Sequence, residues 1–308
     1  MKRYLVTGGA GFIGSHIAHA LHEQGDFVRV LDNFSTGKRE NLAGLQLDII
    51  EGDLRNPAIV AQAVQDIDII FHEAAFVSVP QSMQDPLPCF EINQHGTEIL
   101  LEAARKARVG RVILASSAAV YGNSDDMPLD EAAALHPLSP YAVSKRVDEL
   151  YAEMYTRAFD LDVVALRYFN VFGPRQRPDS MYAAAVPIFA RRLMDGHSIT
   201  IYGDGGQTRD LVYVGDIVRA NLVASEHPAA PGQVFNICGG VEIRVLDLVR
   251  LLMTLFPSAQ EPVFSSARAG DIYRSVGNPG KAKEVLGFDP QTSILDGLRA
   301  VVEWMKAA

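Results

Sequence analysis

The stretch Thr7-Gly8-Gly9-Ala10-Gly11-Phe12-Ile13-Gly14 decides how this chain of 308 residues is folded. It follows the apolar run Tyr4-Leu5-Val6-Thr7, which reads as a strand, and it opens a helical pattern from Ile13 to Gln24. Glycines at 8, 11 and 14 permit a tight turn, close backbone approach and close helix packing. A strand, turn and helix in that order present backbone amides and the positive end of a helix dipole to a pyrophosphate. Phe27-Val28-Arg29-Val30-Leu31 reads as the second strand and ends at Asp32. A carboxylate there is placed to accept bonds from an adenosine ribose and would repel a 2′-phosphate, so the dinucleotide expected is NAD rather than NADP. Phe12, Ile13, Asn33, Ser35 and Gly37 are assigned to the same cofactor site, with Asp53 and Leu54 after the third strand. Asp53 is placed for the adenine amine, with a solvated surface carboxylate as the lesser alternative.

Working outward, strands at 47–50 and 67–71 enclose a helix, and a long helix is expected from about Pro86 to Lys106. A strand at 111–115, a helix ending near Ala158 and a strand at 162–167 follow. Strands alternating with helices specify an α/β protein with a Rossmann-type, doubly wound parallel sheet. Such sheets bind ligands at the carboxyl ends of their strands. After residue 170 the pattern breaks into turn formers, short strands and glycine-rich turns such as Tyr202-Gly203-Asp204-Gly205-Gly206. The expected division is therefore a cofactor domain over 1–170, joined by about 209–238, and a smaller α+β substrate region in the remainder of 171–308.

Composition narrows the function. The chain is 48% hydrophobic and 21% charged, with a net charge of −9. That acidity argues against nucleic acid as a partner, and an anionic ligand must be held by local cations or amides. No apolar run has the length of a membrane span. Cys89 and Cys238 show no disulfide or metal-ligand spacing, so buried thiols in a reducing cytoplasm are expected. No metal is expected, because the histidines lack a ligand arrangement, and His72 and His136 read as structural.

Tyr141 and Lys145, in Ser139-Pro140-Tyr141-Ala142-Val143-Ser144-Lys145, stand four residues apart, on one face of a helix. A free phenol, with a pKa of about 10, is a poor base at neutral pH, and roughly 4 kcal/mol of preference for the phenolate would make it a good one. An ammonium about 5 Å away at an effective dielectric of about 20 supplies roughly 3 kcal/mol. An oxidised nicotinamide is a second available cation. The spacing by itself also fits two surface residues of an ordinary helix.

Together, the glycine spacing, Ser116-Ser117-Ala118-Ala119-Val120-Tyr121-Gly122 and Tyr141-x-x-x-Lys145 resemble the extended short-chain dehydrogenase/reductase family, over about residues 4 to 290. Within it, the chain is most similar to the NAD-dependent nucleoside-diphosphate-sugar 4-epimerases of UDP-glucose and UDP-N-acetylglucosamine type. The resemblance implies that Ser117, Tyr141 and Lys145 are catalytic, with Lys145 also on the nicotinamide ribose. It implies that Ala74, Ala75, Asn93 and Tyr168 lie along the cofactor. It places Ser78 and Val79 near the sugar, Asn170, Arg209 and Arg268 on the diphosphate, Tyr202 beside the base and Asp271 on the nucleoside ribose. Ser275, the fourth residue after Asp271, is small where the family sets room around the sugar C2 substituent. Family dehydratases and decarboxylases usually carry an acid just before Val-Tyr-Gly, where this chain has Ala118 and Ala119, so a redox-neutral 4-epimerase is expected. A dehydratase, decarboxylase or reductase on the same scaffold, or a non-catalytic NAD sensor, remains the alternative. The sugar, and UDP against dTDP, stay open. The resemblance also implies a homodimer through helices after Asn93 and around Tyr141. Leu150, Tyr151, Met154 and Tyr155 fit such a face, or an internal core.

Overall fold

The computed structural model describes residues 1–124, 126–178, 185–267 and 273–307. The chain runs through β1 (Arg3–Thr7), α1 (Phe12–Glu23), β2 (Phe27–Asp32), β3 (Asp48–Glu51), α2 (Pro57–Ala63), β4 (Ile69–His72), α3 (Val79–Gln84) and α4 (Pro86–Phe90). It continues through α5 (Gly96–Ala107), β5 (Arg111–Ser117), α6 (Pro140–Phe159), β6 (Asp162–Tyr168), β7 (Asn170–Phe172), α7 (Ala185–Met194) and β8 (Thr200–Tyr202). Then come β9 (Thr208–Tyr213), α8 (Val214–Glu226), β10 (Val234–Ile237), β11 (Glu242–Arg244), α9 (Val245–Met253), β12 (Val263–Ser265), α10 (Gly280–Leu286) and α11 (Ile294–Ala307).

A seven-stranded sheet in the order β10-β6-β5-β4-β1-β2-β3 forms the centre, with every neighbouring pair parallel. This is the Rossmann-type sheet expected from the sequence. Its strands are apolar almost throughout because both faces are covered. On one face, Leu5, Ile70, Val112, Leu114 and Val163 pack with Val60 of α2, Leu100 of α5 and Ala152 of α6. On the other, Tyr4, Val6, Phe71, Ile113 and Val164 pack with Ile17 of α1 and Ala220 of α8. Burying each such aliphatic side chain stabilises by about 1.5–3 kcal/mol. The chain builds outward from β1 to β3, then returns to β4 on the other side of β1. Thr7 is consequently flanked by Leu31 and His72. The reversal opens a crevice at the carboxyl ends of β1 and β4, where open α/β sheets bind ligands.

The long helix expected from Pro86 to Lys106 is broken in kind: α4 and α5 are joined by a π-helical turn at Glu91–His95. One extra residue in a turn leaves the apolar pattern almost unchanged, so the periodicity does not register it, and such turns are frequent at functional sites. Beyond β6 the chain forms a three-stranded sheet, β11-β9-β7, and a two-stranded one, β12-β8. Phe172, Phe189 of α7, Leu248 of α9 and Val301 of α11 share their core. β7 starts two residues after β6 ends, which leads this region off the carboxyl edge of the main sheet. Among the described residues no helix is long and apolar enough to cross a membrane.

Candidate active site

At the β1/β4 crevice the backbone itself forms the cradle. Gly8 has φ +67°, and a Cβ there would lie 2.7 Å from the amide nitrogen of Ala74, across the crevice. A Cβ on Gly14 would lie 2.3 Å from the Gly8 carbonyl oxygen. Any side chain at either position would force the loop open. Gly11 caps α1 without a side-chain bond, and the first turn of α1 has no acid. The positive end of that helix is thus left for a ligand anion. Asp32, buried at the end of β2, accepts the amides of Ala10 at 2.9 Å and Phe34 at 2.8 Å. Gly37 packs against the backbone of Ala10, and Lys38 N–H donates to the Ala10 carbonyl at 3.0 Å. The Asn33 amide donates to Asp53 at 3.0 Å, while the Ser35 N–H donates to Asn33. Arg55 clasps Asp53 and, first among several bonds, holds its carboxyl far below the usual range. Leu54 is buried behind it. A glycine cradle, an open helix N-terminus and a carboxylate at the second strand's end form a donor and acceptor set that fits NAD.

The catalytic candidates meet beside that cradle. A cavity of about 170 Å³ is lined by Ser117, Tyr141, Lys145, Ile13, Ala75 and Tyr168, together with Glu73. A larger cleft of about 480 Å³ around Arg105, Arg108 and Phe159 lies at the amino ends of β5 and β6, the opposite edge of the sheet, and gathers none of these groups. Ser139 caps α6 by accepting the Ala142 N–H at 3.1 Å, and Pro140 fixes its first turn. The cap places Tyr141 at the cavity wall and Lys145 one turn deeper, 3% exposed. Ser117, at the end of β5, accepts the Ala119 N–H at 3.2 Å through its hydroxyl oxygen. Its hydroxyl proton therefore remains available to donate.

Several groups that hold these side chains carry no sequence signal. The Lys145 ammonium lies 3.2 Å from Asp148, and both are buried. Burial alone would push the ammonium's pKa down, but Asp148, Tyr141 and Glu73 outweigh it and the net direction is up. Burial likewise pushes the Asp148 carboxyl up, to about 6, against the pull of Lys145. Lys145 stays charged, and the cost falls on Asp148, whose Oδ1 is buried without a hydrogen-bond partner. His72, at the end of β4, bonds Thr7 at 2.7 Å and Thr97 at 3.0 Å. Burial first, and Lys145 second, lower its pKa to about 3, so the ring is neutral. Thr7 also accepts the Ala74 amide, which fixes the loop over the crevice.

Asn93 lies in the π-helical turn, 1% exposed. It accepts the Phe76 N–H at 2.7 Å and donates to the Phe76 carbonyl at 3.0 Å and to Ser144 at 2.9 Å. One side chain thereby ties the 74–78 loop to α6. One turn beyond Lys145 on α6, Glu149 accepts two bonds from Arg167, at 2.7 and 2.9 Å, and one from Ser116 at 2.7 Å. This buried fork fixes α6 against β6 and β5. Glu73, directly after β4, accepts the Tyr168 hydroxyl at 2.8 Å.

The remaining candidates lie outside that cavity. Ser78 caps α3, and Val79 is exposed beside it. Asn170 on β7 donates to the Asp210 carbonyl at 3.1 Å, and Arg209 lies on the neighbouring strand β9. Tyr202 ends β8 and is 38% exposed. Ser275 is half-buried. Arg268 and Asp271 lie outside the described residues. Cys89 and Cys238 are buried free thiols, and no group of metal-ligating side chains occurs among the described residues.

Comparison with known proteins agrees with this geometry. Residues 4–238 match the model of the NAD dependent epimerase/dehydratase family. A putative UDP-glucose 4-epimerase of Methanocaldococcus jannaschii is 38% identical, covering 98% of each chain. A dTDP-glucose 4,6-dehydratase of an Actinoplanes species is 34% identical over 99% of this chain and 98% of its own. Among solved structures, the UDP-N-acetylglucosamine 4-epimerase of Methanobrevibacter ruminantium, in complex with UDP-N-acetylmuramic acid, superposes with a TM-score of 0.95 at 38% identity, covering 99% of this chain and 98% of that one. The UDP-glucose 4-epimerase of Thermotoga maritima with UDP-glucose gives 0.94 at 39% identity, covering 99% of both. The glycine cradle, the Tyr141–Lys145 cavity and these matches lead to one conclusion: the chain belongs to the NAD dependent epimerase/dehydratase family, within the extended short-chain dehydrogenases/reductases, and NAD is its cofactor.

Proposed function

We propose that this protein is a UDP-sugar 4-epimerase, an isomerase that inverts C4 of a UDP-hexose of the glucose/galactose or N-acetylated type. Bound NAD supplies a reversible hydride acceptor. Gly8, Gly11, Gly14 and Asp32 hold it, with Asn33, Ser35, Gly37, Asp53 and the 74–75 loop around it. Tyr141 takes the proton of the sugar 4-hydroxyl as the C4 hydride departs, and returns a proton when hydride arrives on the other face. Lys145, fixed by Asp148, keeps an ammonium beside Tyr141 and serves the nicotinamide ribose. Ser117 donates its free hydroxyl proton to the reacting sugar oxygen. Asn170, Arg209 and Arg268 grip the diphosphate, where fork geometry suits phosphate oxygens. Tyr202 packs on the base, Asp271 binds the ribose, and Ser78 and Val79 border the sugar. Ser275 leaves space for a C2 acetamido group, so N-acetylated hexoses are accepted.

One observation carries the choice of epimerisation. Ser117 is followed by Ala118 and Ala119, so the segment next to the reacting carbon has no acid for elimination. The acid that does reach the cavity, Glu73, is engaged by Tyr168. The relationship to a 4,6-dehydratase keeps that reaction as the second reading. Turnover without added reductant, lost by about 10²–10⁴-fold in Tyr141→Phe with the fold intact, is expected. Unchanged turnover in that variant would overturn the catalytic assignment. We further propose a homodimer through α6. Leu150 and Met154, one turn apart on α6, are 46% and 39% exposed. Light scattering should give twice the chain mass, and Leu150→Glu with Met154→Glu should return the monomer.

A further inference from the structure

Glu73 is the first residue after β4, at the point where the strand order reverses, and it lines the same cavity as Ser117, Tyr141 and Lys145. Its placement is not accidental to the local fold. The Tyr168 hydroxyl donates to Glu73 at 2.8 Å and is itself held by Asn221, whose amide donates to it at 2.7 Å. The same amide donates to the Ile217 carbonyl within α8 at 2.9 Å. Asn221 and Tyr168 are 0% and 7% exposed. The phenol's proton has two acceptors, Glu73 at 2.8 Å and the Asn221 side-chain oxygen at 3.1 Å, and Glu73 is the nearer, an arrangement that suits a carboxylate there.

The charges around Glu73 do not balance among the described residues. From α6 it faces Lys145, but that ammonium is shared with Asp148 at 3.2 Å. Glu149 of the same helix is paired with Arg167 of β6. From β6 it faces the Tyr168 phenol, from α8 the uncharged Asn221, from α1 the apolar Ile13, and the neighbouring His72 is neutral. One ammonium thus serves two carboxyl groups, and the cavity lacks one positive charge. Burial holds the Glu73 carboxyl up at about 7, with the Tyr168 bond and Lys145 acting against it.

We propose that Glu73 is the counter-charge of the nicotinamide: as a carboxylate it favours the oxidised ring in the resting enzyme, and it takes up a solvent proton when hydride is received. The sugar C4–H bond breaks and its electron pair moves with the hydrogen to the ring, which loses its positive charge. The hydroxyl proton goes to Tyr141, the 4-keto sugar forms, and Glu73, deprived of its cation, binds one proton from water. Both protons and the hydride reverse on return. Glu73 is then a positioning group of an electrostatic kind, acting through the cofactor's charge. The proposal rests on reading this cavity as the nicotinamide site.

The test is the redox potential of the NAD-loaded protein, equilibrated with soluble mediators across the pH range around 7, with the reduced ring read by its absorbance. Tyr141 lines the same cavity and is itself a proton acceptor when hydride arrives, so all proteins are measured in a Tyr141→Phe background. There the protein with wild-type Glu73 is expected to take up two protons per electron pair near pH 7, twice the pH slope of free NAD. Glu73→Gln is expected to show the one-proton slope throughout. At a pH above 7 its ratio of reduced to oxidised cofactor should exceed that of the protein with Glu73 intact by on the order of tenfold. Should Glu73→Gln fold poorly, Tyr168→Phe removes only the donor and should move the two-proton window to higher pH. A one-proton slope with Glu73 intact, or identical slopes with and without Glu73→Gln, overturns the proposal and leaves the epimerase reading intact. If wild type retains no NAD, the reading of the cavity fails, and the proposal with it.

Discussion

Lys145 shows how one side chain depends on residues that no motif names. Its spacing from Tyr141 is legible as i and i+4, and the resemblance supplies its role. Asp148, which holds it, reads from sequence as one more solvated helix charge. It is recognised only when α6 is seen to bury that face. Glu73 is still less legible: its hydrogen-bond partner Tyr168 lies 95 residues further along the chain. A single acid after a strand has no periodicity to betray it. Burial has a measurable consequence at this scale. The Glu73 carboxyl is raised from 4.5 to about 7 in the fold, with burial the first cause. A raised carboxyl gives stability that is complete below its ordinary pKa and is lost as pH climbs through the raised value. After NAD is stripped, the melting temperature of wild type should therefore fall relative to Glu73→Gln between about pH 4.5 and about pH 7. A difference that stays constant over that range contradicts the burial of this carboxyl.

At the scale of elements, α6 carries the proposed catalytic pair Tyr141 and Lys145 and must be held in register with β5 and β6. Its Ser139 cap and Pro140 start are plain in the sequence, and the helix was expected to end near Ala158. Glu149 and Arg167, which lock it, are separated by a turn and a strand and are not paired by any local rule. Removing one partner of a buried ion pair leaves the other uncompensated and costs about 3–5 kcal/mol. Glu149→Gln should lower the unfolding free energy toward that range in denaturant titration, whereas the exposed pair Arg299–Asp296 should contribute under about 1 kcal/mol. Equal effects from the two sites would remove the argument that Glu149 anchors α6. The π-helical turn at Glu91–His95 was missed for a different reason. Its single added residue changes which side Asn93 faces without changing the character of the helix around it.

For the whole molecule, the alternation of strands and helices was enough to specify the parallel sheet, because β1, β2, β4, β5 and β6 are mostly apolar, mostly buried runs of four to seven residues. The glycine spacing was enough to locate the crevice, because only glycine fits at Gly8 and Gly14. The small sheets were not legible in detail. β7, β8, β11 and β12 have three residues each, too few for a period to show. They lie where the sugar nucleotide is proposed to bind, which is why the sugar is less sharply specified than the cofactor. In the proposed reaction the hydride leaves C4 and returns to C4 without exchange with water. UDP-galactose carrying deuterium at C4, incubated with the purified enzyme and resolved by NMR, tests it directly. UDP-glucose with the deuterium retained at C4 is expected. Loss of that deuterium to solvent, or a 4-keto-6-deoxy product in place of UDP-glucose, would contradict it.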